Sequence, residues 1–80
     1  MHKVIDFTVR KYPSNIELVY YYNEYGLHLY QYLDLGILRI SKPTIKEIQS
    51  DILEYVNSEP DVFISKKKAY EIAKKIKWYI

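Results

Sequence analysis

The sequence predicts an α+β fold: an antiparallel three- to four-stranded sheet in the N-terminal half, with two C-terminal helices packed on one face. Three observations lead there. Apolar residues alternate with period two across much of residues 4–33, the spacing of half-buried strands. Turn-forming clusters, Tyr12-Pro13-Ser14-Asn15 and Asn23-Glu24-Tyr25-Gly26, divide that region. From Thr44 onward the period changes to that of amphipathic helices.

The first strand spans residues 4–10, with Ile5, Phe7 and Val9 on one side and Asp6, Thr8 and Arg10 on the other. The second, residues 16–22, reads Ile-Glu-Leu-Val-Tyr-Tyr-Tyr, rich in residues that suit a pleated surface. Gly26 suits a hairpin loop because it tolerates positive φ. The third strand, residues 27–33, sets Leu27, Leu29 and Leu33 against His28, Tyr30 and Tyr32, and helix is the competing reading there. Residues 37–40, after Asp34-Leu35-Gly36, suggest a short fourth strand. Thr44-Ile45-Lys46-Glu47 matches a capping box, and Ile45, Ile48, Ile52 and Val56 follow at helical spacing. Asn57-Ser58-Glu59-Pro60 ends that helix. Residues 61–64 form a connector that could add a small strand or pack as an apolar plug. Ser65 caps a second helix with Ala69, Ile72, Ala73, Ile76 and Ile80 along its inner stripe. The expected organisation is one small domain over residues 1–80, a β-meander at 1–41 and a helix–loop–helix at 42–80.

Composition narrows the function classes. Of 80 residues, 49% are hydrophobic and 28% charged, a globular balance. No apolar run approaches a membrane span, and Met1–Asp6 lacks the apolar core of a secretory signal, so the expectation is a cytoplasmic protein without membrane contact. Cysteine is absent, which removes disulfides and thiolate chemistry. Ten tyrosines, abundant Ile and Lys, and scarce Ala, Gly, Pro and Arg point to an AT-rich genome, such as those of many phages and archaeal viruses. A domain this small has a marginal core, which self-association as a homodimer would reinforce.

The net charge of +2 conceals a split. Residues 1–65 hold six bases against nine acids, and residues 66–80 hold six lysines against Glu71 alone. Lys66, Lys67 and Lys68 occupy the first turn of the last helix, where the dipole disfavours cations by several tenths of a kcal/mol each. Lys74, Lys75 and Lys77 extend the positive charge along it, a pattern suited to phosphates. The plain alternative is a solvated basic helix. Tyr21, His28, Tyr30 and Tyr32 would share the sheet's outer face, suited to base stacking or to a protein interface. The plain alternative there is rings that simply cover a sheet. Only two arginines are present, neither in the lysine cluster, which argues against bidentate guanine readout.

Catalysis finds little support: no nucleophile–base spacing, no glycine-rich phosphate loop, and too few histidines for a closed zinc site. Residues 43–77 resemble, in the rhythm of a capped helix followed by a lysine-rich one, the helix–turn–helix regions of transposase-like and regulatory proteins. That likeness covers less than half the chain and implies a DNA-binding helix. The leading expectation is therefore a small non-enzymatic nucleic-acid-binding protein, a regulator of a virus or mobile element, without cofactor or metal and with DNA favoured over RNA. The rival is a protein-binding inhibitor or adaptor acting on a host or CRISPR-type defence complex. It would use the tyrosine face as anchor, with Glu47, Asp51 and Glu54 mimicking a phosphate backbone.

Overall fold

The computed structural model describes the backbone of residues 2–22 and 26–80, and the side chains of residues 2–22 and 30–80. The elements run β1 (His2–Lys11), β2 (Asn15–Tyr22), β3 (Gly26–Asp34), α1 (Leu35–Ser41), α2 (Ile45–Asn57), β4 (Val62–Phe63) and α3 (Lys66–Trp78). The strands form one sheet in the order β3-β2-β1-β4. β1, β2 and β3 pair antiparallel, but β4 pairs parallel with β1, His2 opposite Val62 and Lys3 opposite Phe63. The sheet is therefore mixed rather than purely antiparallel, and helices number three rather than two among the described residues.

The extra helix occupies the place of the expected fourth strand. Asp34 caps it: its Oδ1 accepts from the Gly36 N–H at 2.7 Å and the Ile37 N–H at 3.3 Å. A Cβ on Gly36 would lie 2.9 Å from that oxygen, so glycine lets the cap close. The helix ends at Lys42, whose backbone is left-handed (φ 45°) and whose N–H donates to the Leu38 carbonyl at 2.9 Å. β-branched Ile37 and Ile40 resemble strand residues, but the cap and the burial of Leu35 and Leu38 decide for helix.

One apolar core joins the sheet to all three helices. β1 supplies Val4 and Val9, β2 supplies Ile16, Leu18 and Tyr20, and Tyr32 enters from β3. Leu35 and Leu38 enter from α1, Ile48, Ile52 and Val56 from α2, and Ala69, Ile72, Ala73 and Ile76 from α3. The stripes expected on the last two helices are those buried, except that Ile45 and Ile80 are only partly covered. In β1 the alternation breaks. A bulge between Val4 and Asp6 puts Val4 in the core and leaves Ile5 57% exposed, while Phe7 and Val9 keep the expected side. The connector between α2 and α3 is tied to the sheet edge through β4. The His2 N–H donates to the Asp61 carbonyl at 2.6 Å, and the Ile64 N–H donates to Asn57 Oδ1 at 3.1 Å.

The phase of β3 is opposite to the expected one. The pairing places Tyr30 opposite Leu18, on the side of β2 that meets the helices, with His28 in register with Tyr20. Tyr32 is only 6% exposed, and Leu33 lies on the open side of the sheet. Directly paired residues of antiparallel strands share a face, so the core positions of β2 carry the β3 tyrosines inward with them.

Candidate functional site

Helix α3 is built to present its polar side. Ser65 Oγ accepts from the Lys68 N–H at 3.1 Å, starting the helix, and the four-residue core stripe fixes its rotation. At 3.6 residues per turn, the six lysines then divide among three directions. Lys67 and Lys74 lie opposite the buried stripe. Lys68 and Lys75 flank it on the side of β1, and Lys66 and Lys77 flank it on the side of α2.

The surroundings of these ammonium groups differ. Lys77 Nζ donates to the Pro43 carbonyl at 2.7 Å and ties α3 to the residues preceding α2. At the other end of the helix, the Lys66 carbonyl accepts from Gln49 Nε2 at 2.8 Å, fixing the start of α3 against α2. Lys68 pairs with Glu71 at 3.3 Å and lies 6.0 Å from the centre of the Phe7 ring. Lys74 lies 5.8 Å from the centre of the Tyr70 ring. Among the described residues, Lys66, Lys67, Lys74 and Lys75 form no ion pair with an acid. The expectation of a single six-lysine surface is thus reduced. Lys67, Lys68, Lys74 and Lys75 share the side of α3 that faces away from α2, whereas Lys77 is committed to an internal bond.

Beside these four lysines lies a groove that the sequence reading did not single out. Phe7 of β1 forms one wall, and Glu71, Lys74, Lys75 and Trp78 of α3 form the other, around a volume of about 300 Å³. The four helix residues recur at i, i+3, i+4 and i+7, a continuous stripe along α3. Trp78, the only tryptophan, is 81% exposed. Its signal was present in the sequence: a large apolar ring on the polar side of an amphipathic helix, one turn beyond Lys74 and Lys75.

The tyrosine face is not where the sequence reading put it. Tyr30 stacks on Tyr55 of α2, ring centres 3.8 Å apart and planes 11° from parallel, and meets Tyr32 edge-on at 5.6 Å. Burial, and after it the charge of Asp51, pushes the Tyr30 phenol up to about 12. The Tyr32 phenol is raised further, by burial first and then by hydrogen bonding to Asp51. Tyr30 and Tyr32 therefore belong to the packing between sheet and helices. Tyr21 alone of that set lies on the open face, half-buried, and the His28 side chain falls outside those described.

The acidic side of α2 is likewise engaged internally. Thr44 Oγ1 accepts from the Glu47 N–H at 3.1 Å, and Glu47 Oε1 accepts from the Thr44 N–H at 2.9 Å, closing the expected capping box. The hydrogen bond from the Thr44 backbone, more than any other cause, holds the Glu47 carboxyl below its usual range. With Asp51 turned to the tyrosines, Glu47, Asp51 and Glu54 do not form an uncommitted acidic row.

Among the described residues, no three His, Cys, Asp or Glu side chains are grouped so as to hold a metal ion. No helix there is long and apolar enough to cross a membrane. Compared with known protein families, curated proteins and solved structures, the chain matches none.

Proposed function

We propose that this protein is a non-enzymatic nucleic-acid-binding protein that holds phosphates with Lys67, Lys68, Lys74 and Lys75 of α3. One observation carries the reading. A helix rotated by its own core stripe turns these lysines to one side, and Lys67, Lys74 and Lys75 have no acidic partner among the described residues. Ammonium groups left free in this way release counterions when they meet a polyanion, which makes binding strongly salt-dependent. Lys68 joins them by exchanging its contact with Glu71, and Lys66 borders the patch without a fixed role. The shortage of arginine favours contact with the backbone over readout of base edges. The connector pinned by β4 sets α3 against the sheet, so its exposed side is presented by a rigid support rather than by a tight helix–turn–helix.

Fluorescence anisotropy of labelled DNA and RNA at several salt concentrations tests this reading. The triple variant Lys67→Gln/Lys74→Gln/Lys75→Gln is expected to flatten the plot of log affinity against log salt by roughly 2.7, at about 0.9 per duplex phosphate contact. An unchanged slope, or no binding at low salt, defeats the proposal.

A second reading, a protein-binding module, rests on a different patch from the one first expected. Ile37 and Ile40 of α1, three residues apart on one side of that helix, are exposed, Ile40 by 84%. An Ile40→Lys variant that loses a partner complex, while the lysine variant keeps it, would favour this reading.

A further inference from the structure

Resting on the nucleic-acid reading, we infer that the groove between Phe7 and Trp78 receives one unpaired base, so that the polyanion preferred by α3 is a single strand. The lining argues for a base. Two of its lining side chains are aromatic, Phe7 on β1 and Trp78 at the end of α3, and Glu71 lines it two turns before Trp78. Two ring faces offer a flat, apolar contact, and the Glu71 carboxylate, paired with Lys68, offsets part of the positive charge there, which favours a flat neutral group over a phosphate inside the groove. The same groove is flanked by Lys74 and Lys75, with Lys67 one turn before Glu71 and Lys68 beside Phe7. These cations suit the phosphates on either side of the bound base. Aromatic rings that stack bases, set within positive charge that follows the backbone, are what single-strand binding requires.

Trp78 supplies the stacking surface because it is 81% exposed and carries none of the core. Phe7 is partly buried against the core and has Lys68 beside its ring, so it serves as a fixed wall. A base inside a duplex has both faces covered by its neighbours and cannot enter. The groove therefore separates strand types that the lysines alone would treat alike.

The single tryptophan makes the test direct, since its emission reports on this groove and nowhere else. Binding is followed at low salt by anisotropy of the labelled nucleic acid and, in parallel, by Trp78 emission. The probes are a short single-stranded DNA, the RNA of the same sequence, the matched DNA duplex, and inorganic polyphosphate. The expected result is quenching that follows the binding curve of a single strand, with duplex and polyphosphate bound unquenched. Trp78→Ala should weaken single-strand binding roughly 5- to 160-fold, the range for one lost base–aromatic stack. It should leave duplex and polyphosphate affinity unchanged, and Trp78→Phe should recover part of the loss. Single-strand binding with unaltered emission and an unaffected Trp78→Ala variant overturns the groove assignment and leaves the lysine reading standing. Equal quenching by the duplex overturns it too. Failure of every polyanion to bind overturns the proposed function itself.

Discussion

Helices α2 and α3 have the same length, open on a hydroxyl cap, and bury one aliphatic stripe each, yet their polar sides behave differently. On α2 the polar groups are engaged by partners within the molecule. Glu47 closes the capping box, Gln49 reaches the Lys66 carbonyl, and Asp51 meets the tyrosines of β3. On α3, Lys67, Lys74 and Lys75 form no ion pair with an acid among the described residues, and a tryptophan stands exposed beside them. The difference teaches where to look for function: groups that complete the molecule's own bonds explain stability, and groups left over explain binding.

The comparison begins from an equality, which substitutions can break. Ile52→Ala on α2 and Ile72→Ala on α3 remove side chains that are wholly buried in the same core. Each should cost about 2–5 kcal/mol in denaturant unfolding. A loss from only one of them would mean that the second helix does not share the core.

The packing of Tyr30 against α2 makes a pH dependence. The Tyr30 phenol rises from 10.0 to about 12 in the folded protein. The folded state therefore keeps its proton after the unfolded chain has released it. Stability from this group is complete below pH 10 and is lost as pH rises toward about 12. Tyr30→Phe should flatten the stability curve across that window, followed by circular dichroism at increasing pH. A curve of unchanged slope would sever the link between Tyr30 and α2.

Thr44→Ala removes the hydroxyl half of the capping box and should cost about 1 kcal/mol. The smallest effect sharpens the contrast. The triple lysine variant of α3 should change unfolding free energy by no more than about 0.5 kcal/mol, as expected for surface positions outside the packing. A large loss would mean that those lysines, like Lys77, hold the fold together.

Much of this was legible in the sequence where two signals agreed. Thr44 and Glu47 announced α2, Ser65 announced α3, and the aliphatic spacing located both inner stripes. β2 could be phased because Ile16, Leu18 and Tyr20 alternate with Glu17. β3 could not, because Leu27, Leu29 and Leu33 on one side compete with Tyr30 and Tyr32 on the other, and period two cannot choose between two apolar sides. The choice was made by residues distant in the chain, Asp51 and Tyr55, which give the tyrosines polar and aromatic partners. The bulge in β1 displaced Ile5 for a similar reason, since only the pairing with β2 reveals it. The site was half legible. Lysine density marked α3, whereas the groove needed Phe7 of β1 brought against a helix some sixty residues later.

The short parallel strand β4 has a further effect. Its paired residues His2 and Val62 stand about sixty positions apart in the chain, and the connector between α2 and α3 is held to the sheet edge through that pairing. Loop closure of that length is slow compared with zipping a meander. The β1–β4 pairing should therefore be among the last contacts to form during folding, after the meander and the α2–α3 pair.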